Sequence, residues 1–402
     1  MPLRHQRQRL PVLTADAIFR ADDLRLDLDA AKNEIAEKER RLDAFLEERK
    51  LDGVLLTETR NVFWATGGMA NNQIVLNKDV GAASILYRKG GGRFLVCSQS
   101  EVDRLMDESL GAFGYRAAIY RWFDADAPAR ALAETGGGRI ASDAPFPGTV
   151  TLHEDFKRLR YRFTDEEIDR YRKIAFRATD AVSSVCRTIR PGMNEYEIEA
   201  LTARELRKRG MLPTVLLIGA DERIYKYRHA LAGGAELKRY AMINVVAESR
   251  GMPVAVTRLV HFGEMPDELR DAYERLARVN AAFQHAARAG AKASDVFERC
   301  KTWYADAGFE GEWRNHHQGG AIGYDDREYI LTPDCAETFG DRQPFAFNPT
   351  AAGAKYEETI LIIDGGVERL TRVEDWEDVV VEIDGERYAQ AAPLVRNEGG
   401  TI

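Results

Sequence analysis

No run of roughly 18 or more apolar residues, the length a membrane-spanning helix needs, occurs in the chain. No membrane span, and no membrane partner, is therefore expected. Cysteine is scarce: Cys97, Cys186, Cys300 and Cys335 are the only four, and they lie far apart. That spacing excludes a CxxC clamp and a dense disulfide framework, so reduced and mostly buried thiols are expected. A basic excess is missing as well. Lys and Arg total 57 against 65 Asp and Glu, for a formal net charge of −8. Nucleic-acid binding needs a clustered basic surface, so no nucleic-acid partner is expected. The opening residues, MPLRHQRQRLPVL, are basic but lack the apolar core of a signal peptide. Cytoplasmic residence follows by default.

What is present is a globular composition, 45% hydrophobic and 30% charged, in a chain long enough for two or three domains. Residues 1–27 show no period and read as an N-terminal arm. Ile35, Leu42, Phe45 and Leu46 recur at helical spacing and predict a helix from about Asp29 to Arg49. Val54 to Leu56, Ala83 to Tyr87, Phe94 to Cys97 and Arg139 to Ala141 read as short strands. Gly90-Gly91-Gly92 makes the turn between the second and third, and Asp103 to Ser109 reads as helical. Strands alternating with helices predict a small α/β domain over 28–157.

The second half has another rhythm. A long helix is predicted from Thr164, with Asp165 and Glu166 in its first turn, where carboxylates favour the helix dipole. Its apolar stripe runs Ile168, Tyr171, Ile174, Ala178, Val182, Val185, Ile189, and it stops at Arg190-Pro191-Gly192. A second helix spans about Glu195 to Lys208. The layout then recurs, with helices over about Asp267 to Arg288 and Ser294 to Ala307. The segments RPGMNEYEIEALTARELRKRG and RAGAKASDVFERCKTWYADAG match as helix stop, cap, amphipathic helix and glycine. Strand-like stretches follow each copy, Ala241 to Val246 and Thr359 to Ile363. Two α+β half-repeats about a pseudo-twofold axis are inferred over 158–390, with a C-terminal tail over 391–402.

Specific segments carry a family resemblance. Arg228-His229 precedes Ala241-Met242-Ile243-Asn244, and Gly251 precedes Ala255-Val256-Thr257-Arg258. His316-His317-Gln318-Gly319-Gly320 leads to Gly323-Tyr324, and Phe347-Asn348-Pro349 and Glu357-Glu358-Thr359 close the set. Over about residues 30–385 the chain resembles the pita-bread enzymes: creatinase, prolidase, aminopeptidase P and methionine aminopeptidase. The resemblance implies an α+β fold, a pita-bread C-terminal domain behind a smaller α/β creatinase-like N-terminal domain. It also implies a homodimer in which Trp64 and the Gly67-Gly68-Met69 loop are candidate lid residues reaching the other chain's pocket.

The metal-dependent members hold two divalent ions on two aspartates, a histidine and two glutamates, activating a bridging water. Matched to those positions, this chain has Asn244, Ala255, Gly320, Asn348 and Glu357. One carboxylate with two amides does not neutralise two dications, so no metal and no other cofactor is expected. The pattern is closest to creatinase, the metal-free branch. By that resemblance His229 is the acid/base, His316 a second catalytic histidine, Arg327 the grip on a substrate carboxylate, and Glu357 the orienting carboxylate. Thr257 stands where creatinase has the glutamate that holds a guanidinium, which removes creatine as a safe substrate.

On residue chemistry alone, a neutral imidazole near pH 7 is the best available proton shuttle. Glu357 beside His229 would orient it, Arg327 could fork onto a carboxylate, and Asn244 and Asn348 could donate to a developing oxyanion. His317 and Tyr324 complete the expected substrate-binding set. Each has a structural alternative: His229 as a loop histidine, His316 and His317 as a hydrogen-bonding pair, Arg327 as an ion pair in the turn Asp325-Asp326-Arg327-Glu328, Tyr324 as core packing. The leading expectation is a metal-independent, creatinase-like hydrolase of a C–N bond in a small amino-acid-like, guanidino or amide substrate. A catalytically silent binding protein and an Xaa-Pro metallopeptidase are the alternatives.

Overall fold

A computed structural model of the protein describes residues 27–397. The N-terminal arm, apart from Asp27, lies outside the described residues, as do residues 398–402. Helix α1 runs Leu28–Arg49. The Asp27 side chain accepts from the backbone N–H groups of Asp29 and Ala30 and so caps it. The predicted stripe of Ile35, Leu42, Phe45 and Leu46 is buried, but Glu34 and Lys38 are buried with it.

The N-terminal sheet has six strands: β1 (Gly53–Glu58), β2 (Val80–Arg88), β3 (Gly92–Ser98), β4 (Arg116–Tyr120), β5 (Ile140–Ser142) and β6 (Val150–Thr151). Their order is β4-β3-β2-β1-β5-β6. Short helices α2 (Thr59–Ala65), α3 (Gln99–Leu105) and α4 (Ala127–Glu134) connect them. The helix predicted over Asp103–Ser109 is instead the end of α3 followed by a wider turn, Met106–Leu110. Strands β4 and β6 carry no sequence signal, being short and largely exposed.

The second domain opens with α5 (Asp165–Thr188) and α6 (Glu195–Lys208). Each has a reciprocal cap, Thr164 with Glu167 and Asn194 with Glu197. The first half-repeat continues as β7 (Leu212–Ala220), the one-turn helix α7 (Glu222–Lys226), β8 (Tyr240–Ser249) and β9 (Met252–Phe262). The second half-repeat holds α8 (Asp267–Ala286), α9 (Ala293–Asp306) and the strands β10 (Gly319–Ala321), β11 (Tyr329–Ile330), β12 (Gln343–Phe347), β13 (Thr350–Ala351), β14 (Ala354–Lys355), β15 (Glu358–Ile363) and β16 (Gly366–Arg369). A hairpin of β17 (Asp378–Ile383) and β18 (Glu386–Ala391) packs on α8. The segment assigned by sequence to a tail carries β19 (Leu394–Arg396), which pairs in parallel with β9. A three-residue strand has too little period to read.

The two half-repeat sheets run β19-β9-β8-β7 and β11-β10-β12-β15-β16. They meet where β9 faces β15. Thr257 N–H donates to the Glu357 carbonyl (3.0 Å), and the Thr359 hydroxyl accepts from Ala255 N–H (3.0 Å) while donating to its carbonyl (2.9 Å). This seam sets the ends of β8, β9, β12 and β15 side by side. One continuous apolar core, including Trp64, Phe156, Phe163, Tyr171, Ile243 and Val256, joins the N-terminal domain to the first half-repeat. A second core, including Phe283, Phe345, Phe347 and Tyr356, belongs to the second half-repeat. Burying side chains of this size stabilises by about 1.5–3 kcal/mol each. Cys97, Cys186 and Cys300 are buried free thiols, and Cys335 is partly exposed.

Candidate functional site

Glu357 stands just before β15 at the seam and is 3% exposed. A carboxylate this deep needs partners for both oxygens. Arg327 donates from Nη2 to Oε1 (3.0 Å), and the Asn244 amide of β8 donates to Oε2. The same Asn244 nitrogen donates to the Thr257 hydroxyl across the β8–β9 pair (2.8 Å). Burial works to raise the Glu357 carboxyl, but Lys355, Arg327 and the bond from Asn244 outweigh it and hold it below its ordinary value.

Three histidines gather beside this carboxylate. His229 follows α7, and His316 and His317 precede β10. His229 Nε2 lies 2.8 Å from His316 Nε2, so one ring donates and the other accepts. His317 stacks on His316 with ring centroids 4.2 Å apart and accepts Gly319 N–H on Nδ1 (3.2 Å). Burial first, then the Lys355 charge, lowers His229, and the same two causes push His316 down to about 3. Burial and the Arg327 charge push His317 down to about 4. All three rings are therefore neutral near pH 7, the form that accepts a proton.

The residue that sequence reasoning missed is Lys355, in β14. It is 2% exposed, and its ammonium lies 3.9 Å from Glu357 Oε2. Burial lowers its proton affinity, Glu357 works to restore it, and Arg327 and Arg228 lower it further. A signal existed: Lys355 and Glu357 are two apart in extended backbone and so share a face. Around this group several buried atoms have no hydrogen-bond partner among the described residues: Asn348 Oδ1, His316 Nδ1 and Arg327 Nε. Buried polar atoms without a protein partner are uncommon.

The structure thus brings His229, His316, His317, Asn244, Thr257, Arg327 and Glu357 to one place, with revised relations. The Glu357 oxygens accept from Arg327 and Asn244, and the His229 ring is hydrogen-bonded to His316 rather than to Glu357. Both amide hydrogens of Asn244 are used within the protein, which leaves it no donor for an oxyanion. Asn348 keeps its amide oxygen unused. Arg327 uses one N–H of Nη1 on the Asp326 carbonyl (2.6 Å) and one of Nη2 on Glu357, which leaves the second N–H of each tip and the unpartnered Nε.

Tyr324 is not part of this cluster. Its hydroxyl donates to Glu167 Oε1 (2.7 Å) and accepts from Arg170 (3.1 Å) and Lys38 (3.2 Å) at the domain junction. Its outer side borders an inter-domain cavity of about 480 Å³ with Arg60, Glu248 and Asp326. Trp64, a candidate lid residue, is fully buried with its ring edge-on to Phe156 at 5.7 Å. It is core in its own domain.

The positions matched to metal ligands do not suit a cation. A Cβ on Gly320 would lie 2.0 Å from the Tyr329 carbonyl oxygen, so the β10–β11 pairing admits no side chain there. Asn244 turns its amide nitrogen toward Glu357, and the Lys355 charge sits beside the same carboxylate. Among the described residues, no group of three or more His, Cys, Asp or Glu side chains is arranged to hold a metal ion.

Comparison with known proteins gives two adjoining matches. Residues 39–174 match the Creatinase/Prolidase N-terminal domain, and residues 169–367 match metallopeptidase family M24. An uncharacterized peptidase of Staphylococcus aureus is 21% identical over 358 residues, covering 82% of this chain and 97% of that protein. The prolidase of Pyrococcus horikoshii superposes with a TM-score of 0.70 at 20% identity, over 84% of this chain and 99% of that one. The dipeptidase PepE of Mycobacterium ulcerans gives 0.71 at 17% identity, over 91% and 99%. At such identity these structures establish the fold alone.

Proposed function

Because the chain belongs to the creatinase/prolidase/aminopeptidase P family of hydrolases, we propose that it is a metal-independent, creatinase-like member cleaving a C–N bond of a small amino-acid-like substrate. The observation that carries this reading is the His229–His316 pair, nitrogen to nitrogen at 2.8 Å, beside a carboxylate centre that is filled by Asn244, Arg327 and Lys355. The imidazole that donates within the pair keeps the lone pair of its Nδ1, which takes a proton from water as the water oxygen adds to the electrophilic carbon. The C–N bond then breaks, and the imidazolium returns the proton to the leaving nitrogen. A positioned imidazole is worth about 10²–10⁴-fold in rate. Asn348, with an unused amide oxygen, is the group left to orient the substrate's N–H. The relatives' names support a second reading, an Xaa-Pro dipeptidase, and the metal content separates the two.

Purified protein is expected to contain well below one equivalent of Mn, Zn, Co or Fe. Turnover should be sought over guanidino acids, N-acyl amino acids, cyclic amidines and X-Pro dipeptides, with and without chelator. His229→Ala should abolish whatever turnover is found. The acid limb of the rate profile should lie below 6.5, because burial lowers His229. Stoichiometric metal with chelator-sensitive cleavage would replace this reading by the dipeptidase. A protein inert across the panel would be a binding module. The homodimer implied by the family is a further proposal, checked by sedimentation.

A further inference from the structure

The cavity of about 480 Å³ between the two domains shares no residue with the histidine cluster. Strands β7, β8 and β9 border it on one side, and α2 with the segment before β2 borders it on the other. Glu248 reaches it from β8, four residues beyond Asn244 and so about 13 Å along the strand. Asp325 and Asp326 come from the turn before β11, and Asp79 stands at the exposed rim. Four carboxylates thus line the cavity against one cation, Arg60. The Arg60 charge is shared between Glu58 (2.8 Å) and Asp325, so it does not balance the other three. Among the described residues no Lys or Arg is paired with Asp79, Glu248 or Asp326.

An independent observation lies in the same wall. Thr59 lines the cavity at 7% exposure, and its hydroxyl is buried with no hydrogen-bond partner among the described residues. Proteins leave few such atoms. The carboxylates behave as groups that lack a counter-cation. Burial and then Asp326 push Glu248 up to about 7, against the Gly251 N–H. Burial and Asp325 raise Asp326 too, against Arg327 and Arg60. We infer that the cavity takes a small organic cation, an aliphatic diamine, with one ammonium on Glu248, Asp326 and the Thr59 hydroxyl and the other at Asp79. The acceptor count matches the three donors of an ammonium. Leu76, Pro213 and Pro253 give an apolar wall for the hydrocarbon spacer. The cation is organic because, among the described residues, no three or more His, Cys, Asp or Glu side chains are arranged to hold a metal ion. The inference concerns binding alone and rests neither on the histidine cluster nor on turnover.

Titration of the full chain by calorimetry or ligand-detected NMR tests this. About 0.15 M salt screens loose attraction to a chain of net charge −8. The probes are 1,4-diaminobutane, 1-aminobutane, the neutral 1,4-butanediol and Mn²⁺. The diamine should bind about tenfold or more tightly than the monoamine, the effect of one charge-assisted contact, and the diol should not bind. Glu248→Gln and Asp326→Asn should each weaken the diamine about tenfold or more. Thr59→Ser should keep its affinity and Thr59→Val should lower it. His229→Ala should leave it unchanged. Thermal melts of each variant show that the fold persists, and neither amide exchange removes an ion pair. No binding of the diamine, equal binding of the diamine and either the monoamine or the diol, or displacement of the diamine by Mn²⁺ would overturn the assignment. So would an affinity that survives both carboxylate exchanges, or one that His229→Ala abolishes.

Discussion

Two of the charge clusters buried among the described residues are completed to opposite degrees. At the domain junction, Lys38 and Arg170 face Glu34 and Glu167, two cations against two carboxylates. The Lys38 ammonium contacts Glu34, Glu167 (2.8 Å), the Trp64 carbonyl (2.7 Å) and the Tyr324 hydroxyl (3.2 Å). At the seam, Lys355 and Arg327 face Glu357, and among the described residues the Lys355 ammonium makes no hydrogen bond. The first cluster is saturated by the protein itself. The second is left open. The difference teaches that burial of a charge does not by itself announce a site; unfilled hydrogen-bonding capacity does.

The sharpest way to break the comparison is to make the same change in both places. Lys38→Met removes one member of a saturated buried network and leaves two carboxylates against a single arginine. Loss of one partner from such a pair typically costs about 3–5 kcal/mol, so urea unfolding should show a loss of that order. A loss under about 1 kcal/mol would mean the junction is held by its apolar core alone. The pH dependence has a definite sign. Glu34 is held at about 2 against 4.5, because Lys38 and Arg170 overcome the effect of burial. Its contribution is fully present above 4.5 and is lost as pH falls from there toward about 2. Lys38→Met should flatten that acid limb.

Much of this was legible in the sequence, for physical reasons. Helices α1, α5, α6, α8 and α9 announce themselves through apolar stripes, because each buries one face, and α1, α5 and α6 carry side-chain caps as well. The missing ligands at 244, 255, 320 and 348 can be read off once the motifs are placed. The saturated cluster was hidden because Glu34 and Lys38 look like the solvated face of a charged helix. Yet they stand four apart within the stripe 31, 35, 42, 45, 46, and that interruption was the signal. Lys355 was hidden because its burial comes from the short β13–β14 hairpin, too brief to show a period. Arg327 was visible, but not that it shares its N–H groups between Glu357 and its own neighbour's carbonyl. Contacts between distant segments leave no trace in spacing.

A second change tests whether the open cluster tolerates balance of charge. Asn244→Asp would set two carboxylates against Lys355 and Arg327, the count found at the junction. The resemblance is numerical only, because the Asn244 amide is a donor to Glu357 and to Thr257. An aspartate there turns a bond into a repulsion and leaves the Thr257 hydroxyl without its donor. A loss of about 1–3 kcal/mol is expected at neutral pH. The carboxyl pair should then hold a proton in the folded state, so its pKa is raised and the penalty should shrink as pH is lowered. Stoichiometric metal uptake by this variant would contradict the fit argument, since Gly320 still admits no ligand.

The smallest effect is the most informative. Lys355→Met is the same exchange as Lys38→Met, at comparable burial, with methionine filling nearly the same volume. It removes an ammonium that gives no hydrogen bond, while Glu357 keeps Arg327 at 3.0 Å and the Asn244 amide. The lost attraction to Glu357 is offset by the desolvation that no longer has to be borne, so the change should stay within about 1 kcal/mol. Burial holds the Lys355 amine below 10.5 in the folded state. The unfolded chain therefore binds the extra proton, and the wild type should gain stability relative to the methionine variant as pH rises toward 10.5. Parallel denaturation curves across that range check both the size and the slope. A loss as large as that of Lys38→Met would mean Lys355 is a structural ion, already satisfied, and the two clusters would no longer differ in kind.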